Sequence, residues 1–194
     1  MLRIVVGISG ASGAIYGIRL LQVLSELEKV ETHLVISTPA RETIRLETEY
    51  TIEQVEAMAH RVYAINNIAA SISSGSFKTD GMVVIPCSIK TLSGIANSSN
   101  DNLLVRAADV TLKERRRLVL VVRETPLHLG HLRLMMQVTE IGAIITPPVP
   151  AFYSKPKTLD DMVNQTIGRI LDLLLVEHDN LFHRWRGPEG NASG

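Results

Sequence analysis

Cysteine is nearly missing from this 194-residue chain, which has Cys87 alone. A single thiol excludes an internal disulfide and fits a reducing compartment. Aromatic side chains are scarce as well, at 4% of residues with one tryptophan, Trp185. Each aromatic that stands outside a core pattern therefore asks for a reason. Neither sign of charge is in surplus, since 20 Lys and Arg face 20 Asp and Glu. That balance argues against nucleic acid and against an anionic membrane as partners. Long hydrophobic runs are absent too: no stretch approaches the roughly 20 apolar residues of a membrane helix. The apolar run after Arg3 ends at glycines, too short for a signal peptide. These absences lead us to expect a cytoplasmic protein. Aliphatic residues, in contrast, are plentiful. The chain is 45% hydrophobic, enough for one sizeable core at this length. We expect a single domain over 1–186 and a flexible tail over 187–194.

The stretch from Gly7 to Gly17 organises the rest. Leu2-Arg3-Ile4-Val5-Val6 reads as a buried strand. Ile15 to Lys29 reads as a helix with Ala14, Ile18, Leu21 and Leu24 on one face. Between them lies an unbroken small-residue run, Ser9 to Gly13. Small side chains let a ligand approach the backbone, and the helix start offers N–H groups to a phosphate, with Ser12 as a further donor. The spacing Gly7-x-x-Gly10-x-x-Gly13 is neither the dinucleotide fingerprint nor a triphosphate loop. By itself it fits a ligand cradle or an empty tight turn.

Thr32 to Ser37 reads as a second strand, so the first forty residues make a right-handed βαβ unit and begin a parallel sheet. An NAD-binding chain would close this strand with an acid. Ser37-Thr38-Pro39 stands there instead, leaving a hydroxyl for another ligand. His33 within the strand reads as structural. A helix from Pro39 to about Thr48 follows, with Glu47 and Glu49 as solvated carboxylates by spacing alone. Thr51 to Arg61 reads as helical, Val62 to Ile65 as a short strand, and Ala69 to Phe77 as a loop able to border a site.

Gly81 to Pro86 is the next buried strand, and Ser88 caps a helix carrying Lys90 and Thr91 in its first turn. Ligands bind along the carboxyl edge of such sheets. Two phosphate-friendly turns on that edge suggest a ring system bearing one phosphate. Cys87 reads as a buried, inert thiol. Asn97 to Asn102 is a polar turn. The helix from Leu103 to Glu114 carries Arg106 and Lys113 on one face, and Lys113 to Arg117 reads as its solvated end. Leu118 to Val122 is a strand, with Arg123 and Glu124 at the ligand edge. His128 and His131 open the next helix without a third metal ligand at suitable spacing. Ala143 to Thr146 is the last strand. A proline-rich segment then presents Phe152 and Tyr153. Thr158 with Asp161 forms a capping box for a final helix expected to bury Leu159, Met162, Ile170 and Leu173 and to carry Arg169.

Together these segments resemble the UbiX flavin prenyltransferases. The carriers are Gly-Ile-Ser-Gly-Ala-Ser-Gly-Ala from Gly7, Pro-Cys-Ser-Ile-Lys-Thr-Leu-Ser-Gly from Pro86, and Arg-Ala-Ala-Asp-Val-Thr-Leu-Lys-Glu-Arg-Arg from Arg106. Val-Arg-Glu-Thr-Pro-Leu from Val122 and Pro-Ala-Phe-Tyr from Pro150 complete them, in family order up to Trp185. The resemblance implies a three-layer α/β, Rossmann-like flavoprotein fold with a central parallel sheet. It implies a homo-oligomer, typically a dodecamer with sites between subunits. The implied reaction needs no metal: reduced FMN is alkylated by dimethylallyl monophosphate at N5, then at C6. The product, prenylated FMN, serves UbiD-type decarboxylases.

By position, the resemblance assigns FMN binding to Gly10, Ala11, Ser12, Ser37, Ser88, Ile89, Lys90, Thr91 and Arg123. It assigns the prenyl phosphate to Arg106, Lys113, Glu124, Tyr153 and Arg169. Ser12 and Glu47 correspond to a proton-handling pair, Glu124 to an acid at the phosphate, and Trp185 to an aromatic wall of the prenyl pocket. The chemistry is consistent with these types. A leaving phosphate needs cations and a proton donor, and an allylic cation favours π faces in a dry pocket. Three other readings compete. A flavin-dependent cysteine decarboxylase would show Pro-Ala-Ser-Ala-Asn-Thr where Pro86 to Thr91 stands, and a catalytic His where Ala69 to Phe77 has none. Direct decarboxylation of an aromatic acid is the second. A non-catalytic flavin carrier, the third, would lack the Arg106, Lys113 and Glu124 set that is present here.

Overall fold

Aliphatic strands that are apolar on both sides need cover on both faces, and the chain supplies it in alternation. The structure is a computed structural model and describes residues 1–178, 181–185 and 187. The expected tail at 187–194 thus lies, apart from Gly187, outside the described residues. Six strands, β1 Leu2–Ile8, β2 Val30–Ile36, β3 Arg61–Tyr63, β4 Gly81–Cys87, β5 Arg117–Val122 and β6 Ile144–Ile145, form one sheet. Its order is β3-β2-β1-β4-β5-β6, and every pairing is parallel. Among the described residues seven α-helices accompany them: α1 Ala14–Ser25, α2 Thr38–Glu47, α3 Ile52–Glu56, α4 Ile89–Ala96, α5 Leu103–Lys113, α6 Leu129–Glu140 and, after the last strand, α7 Leu159–Leu173.

Strand periodicity sorts the core into two layers. Ile4, Val6 and Ile8 of β1 pack with Ile18 and Leu21 of α1 and Ile167 and Ile170 of α7. Val5 of β1 faces the other way, with Leu92 of α4, Leu104 and Ala108 of α5 and Val138 of α6. The expected three-layer α/β fold is therefore present, and it separates α5 from α7 by the thickness of the sheet. The chain winds outward from β1 to β3, then returns to place β4 beside β1. Between β1 and β4 lies the switch point, where the two outgoing loops diverge and leave a crevice.

Several boundaries differ from expectation. The first helix stops at Ser25, and the helix after Thr51 covers Ile52–Glu56 only. In the final helix Leu159 is 79% exposed, and Met162 and Leu173 are half-buried; Val163, Ile167, Ile170 and Leu171 are buried. Of the four expected residues Ile170 is buried as expected, whereas Leu159 directly follows the Thr158 cap at the exposed start of α7. The charge run at the end of α5 is not merely solvated. Arg116 donates to the carbonyls of Gly75 (2.7 Å) and Phe77 (3.1 Å), tying the 71–77 loop to β5. His33 is buried and hydrogen-bonds Tyr63 Oη at 2.9 Å, a structural role as expected.

Candidate active site

Consecutive strands end level and are sewn together one residue past their ends. The Ser37 N–H donates to Ile8 O (2.9 Å), Ser9 N–H to Pro86 O (3.2 Å), and Arg123 N–H to Cys87 O (3.1 Å). Ser9 doubles the central stitch. Its buried hydroxyl donates to Pro86 O (2.9 Å) and accepts from Ser88 N–H (2.7 Å). Ser9 has this task beyond its place in the small-residue run, and the signal for it is a serine at the first position after a buried strand.

Above this floor opens a cleft of about 800 Å³. Gly10, Ser37, Ser88, Ile89, Lys90, Thr91 and Glu124 line it, so seven expected residues from four separate segments converge. Two helices start at its wall. Ser37 accepts from Ala40 N–H (3.2 Å) and caps α2, while Ser88 accepts from Thr91 N–H (3.3 Å) and caps α4. In the first turn of α4, the N–H groups of Ile89 and Lys90 have no acceptor among the described residues. Free donors at a positive helix end suit an anion. The volume lies within the range of small-molecule sites, so the donor set and the space both fit a flavin mononucleotide. Asn97, Ser99, Asp101 and Asn102 extend the cleft and were missed as lining residues. Their signal was the polar turn itself, whose Ser98 and Asn100 adopt positive φ.

The first helix start behaves differently from expectation. Gly13 takes the left-handed conformation, φ 96°, which favours a residue without Cβ. Glu47 Oε2 then accepts from the N–H groups of Gly13 (2.7 Å) and Ala14 (3.2 Å). The end of α1 that looked open to a phosphate is thus neutralised by the protein's own carboxylate, and Glu47 is a cap rather than a merely solvated side chain. Partial desolvation pushes its pKa up. Hydrogen bonds from Ser12, Gly13 and Ala14, with the nearby charge of Arg123, outweigh that and hold it below the usual carboxylate value. Ser12, Glu47 and Arg123 do not line the cleft, and Glu47 sits against the Gly13–Ala14 turn next to Ser12. Glu124 is exposed and accepts from its neighbour Thr125 N–H at 3.0 Å. Cys87 is buried, and desolvation raises its thiol pKa, so it is not a ready nucleophile.

A second pocket, about 570 Å³, is lined by Tyr153, Arg169, Phe182, Arg184 and Trp185. Tyr153 and Trp185 meet edge to face, with centroids 6.1 Å apart. The other two expected phosphate-binding cations are elsewhere. Arg106 donates to Asp109 (3.0 Å) and to Ser73 O (3.2 Å), and Lys113 pairs with Glu114. Both sit on α5, across the sheet from α7, so one chain does not gather Arg106, Lys113, Tyr153 and Arg169. The loop expected to border a site touches this α5 group and not the cleft. The rings of His128 and His131 lie 3.6 Å apart and tilted by 32°, and His128 Nδ1 accepts from Gly130 N–H. Among the described residues no group of three or more acidic, His or Cys side chains could hold a metal. No described helix is long and apolar enough to cross a membrane.

Comparison with known proteins agrees with this architecture over nearly the full chain. The model of the Flavoprotein family matches residues 1–171. The flavin prenyltransferase UbiX of Escherichia coli strain K12 is 63% identical over 188 residues, which is 96% of this chain and 100% of that protein. The crystal structure of AnUbiX (PadA1), in complex with FMN and dimethylallyl pyrophosphate, superposes with a TM-score of 0.93 at 53% identity, covering 96% of this chain and 98% of that one. A dodecameric FMN-dependent UbiX-like decarboxylase from Escherichia coli O157:H7 gives the same TM-score at 50% identity, over 96% and 100%. With this likeness over nearly the full chain, the chain belongs to the flavoprotein family and, within it, to the UbiX flavin prenyltransferases.

Proposed function

We propose that the chain is a flavin prenyltransferase. It transfers the dimethylallyl group of dimethylallyl monophosphate to reduced FMN, first at N5 and then at C6. Prenylated FMN is the product, destined for a UbiD-type decarboxylase. The observation that carries this reading is the convergence of Gly10, Ser37, Ser88, Ile89, Lys90, Thr91 and Glu124 on one cleft with free helix-start donors. Relatives of this sequence carry the prenyltransferase name at 63% identity, which disfavours the decarboxylase and carrier alternatives.

FMN, when bound and reduced, supplies the nucleophilic N5 and C6. The first turn of α4 and the capping hydroxyls of Ser37 and Ser88 hold its phosphate, with Lys90 and Arg123 adding charge. Gly10 and Ala11 let the ring system lie against the backbone. Arg106, Lys113, Tyr153 and Arg169 hold the prenyl phosphate and stabilise it as it leaves without a metal. Glu124, at the ligand edge, passes a proton to that phosphate. Ser12 and Glu47 handle the proton released when the ring closes. Trp185 covers the apolar chain.

Because α5 and α7 lie on opposite faces of the sheet, the phosphate site of this reading needs a second copy to bring Arg106 and Lys113 to Tyr153 and Arg169. The face of α6 with Leu129, Leu132 and Met136, at 60%, 49% and 55% exposure, is apolar surface available for such assembly. A homo-oligomer, in the family a dodecamer, is part of the proposal, as are a single domain over 1–186 and a cytoplasmic location. A fully active monomer in sedimentation would overturn the shared site. The decisive experiment mixes the protein anaerobically with reduced FMN and dimethylallyl monophosphate and takes a mass spectrum of the flavin. Gain of one five-carbon unit is expected; unmodified flavin with released phosphate would overturn the reading.

A further inference from the structure

Phe182, Arg184 and Trp185 reach the Tyr153–Arg169 pocket from a segment that is neither helix nor strand. Two independent contacts hold this segment on α7. One is steric. A Cβ at Gly168 would stand 2.3 Å from Phe182 Cδ1, so the missing side chain is the notch in which the Phe182 ring sits. The other is ionic. Arg184 donates Nη1 to Oδ2 (2.8 Å) and Nη2 to Oδ1 (2.7 Å) of Asp172, the parallel fork that guanidinium and carboxylate make best.

Asp172 serves a second arginine. Arg169 Nη1 donates to Asp172 Oδ2 at 2.8 Å. The two arginines are bound unequally. Arg184 commits both terminal nitrogens to Asp172, whereas the Nε and Nη2 of Arg169 have no partner among the described residues. One carboxylate also cannot neutralise two guanidinium groups, so the pocket keeps a positive balance suited to an anion. Arg184 is thus an anchor, and Arg169 is oriented yet still free to bind.

We propose that Gly168 and Asp172 are positioning residues for this pocket: they clamp the 181–185 segment onto α7, set Trp185 against Tyr153, and orient Arg169 toward the substrate's phosphate. The identity of the substrate rests on the proposed function; the clamp does not.

Trp185 is the sole tryptophan, so its emission reports the segment without labelling. Acrylamide quenching of the full chain is compared for wild type, Asp172→Asn, which keeps shape and removes charge, and Gly168→Ala, which keeps charge and fills the notch. Arg184→Gln removes the same fork without touching α7, should either α7 variant lose its fold by circular dichroism. Quenching is expected to rise in each variant. The KM for dimethylallyl monophosphate should rise about tenfold, the scale of one lost charge-assisted hydrogen bond, while kcat and FMN affinity stay at wild-type values. Asp172→Glu should restore part of both effects. Wild-type quenching in the folded variants would overturn the clamp. Raised quenching with an unchanged KM, or a loss of FMN affinity, would overturn the positioning role. If wild-type protein transfers no prenyl group, the reading of function fails, and the quenching comparison still decides the clamp.

Discussion

The cleft at the switch point is made mostly of backbone and hydroxyl groups. Its floor is a row of main-chain hydrogen bonds between strand ends, its walls are two serine-capped helix starts, and its position follows from the strand order. The pocket on α7 is made of long side chains, Tyr153, Arg169, Arg184 and Trp185, held by contacts with Asp172 and Gly168. The first is fixed wherever the sheet is fixed. The second depends on which side chains pair, and its expected partners on α5 lie across the sheet. A flavin kept through the reaction suits the first kind of site. A phosphate that must arrive and leave suits the second.

The largest effect we expect separates chemistry from flavin binding. Glu124→Gln should leave FMN bound and slow prenyl transfer by about 10²–10⁴-fold, the usual worth of a general acid or base. Flavin titration beside single-turnover kinetics reads both. If Glu124 only orients Arg123, the pattern reverses, with weaker flavin binding and normal transfer.

A smaller effect tests whether the cleft reads the phosphate. FMN should bind much more tightly than riboflavin, because each charge-assisted phosphate hydrogen bond lost costs about 1.5–3 kcal/mol. Equal affinities by calorimetry would remove the helix starts from the flavin site.

Ser9→Ala probes the floor itself. It leaves the half-buried Ser88 N–H without its acceptor and Pro86 O with the main-chain N–H alone, at about 1–3 kcal/mol. Thermal unfolding should shift downward and FMN affinity should fall with it, while Trp185 quenching stays unchanged. A variant as stable as wild type would mean that the Ser37 and Arg123 stitches suffice.

The smallest effect is a matter of pH. Hydrogen bonding from Arg184 leads the causes that hold Asp172 at about 2, against an ordinary 3.8. A carboxyl whose folded value is depressed stabilises the fold above its unfolded value and loses that contribution as pH falls through the folded one. Arg169, Arg184 and His178 all face Asp172. Their clamp should therefore weaken as pH falls from 3.8 toward about 2, seen as rising Trp185 quenching with little change in helical content. The floor of the cleft contains no titrating group and should outlast it. Quenching flat over that range would show that the segment is held by Phe182 alone.

Much of the cleft was legible in the chain because its parts are local. A buried strand, a small-residue turn and a capped helix announce themselves by period and by Ser37 or Ser88 at the cap, and ligands gather where such turns share a sheet edge. Glu47 was not legible as a cap, since it lies 33 and 34 residues from the N–H groups it binds. No spacing rule links a carboxylate at the end of one helix to the start of another. Leu159 departs from the expected burial for a related reason: period locates an apolar stripe, but the sheet decides where along the helix burial begins.

The sequence by itself determined the α/β alternation, the parallel sheet and the ligand edge, because hydrophobic period and helix capping are encoded within a few residues. The resemblance carried by its motifs added the flavin and the prenyl donor. Tertiary structure alone decided that Glu47 neutralises the first helix start, that Asp172 and Gly168 seat the segment bearing Trp185, and that Arg106 and Lys113 lie across the sheet from Arg169. Those are contacts between residues distant in the chain. They exist only once packing has chosen which faces meet.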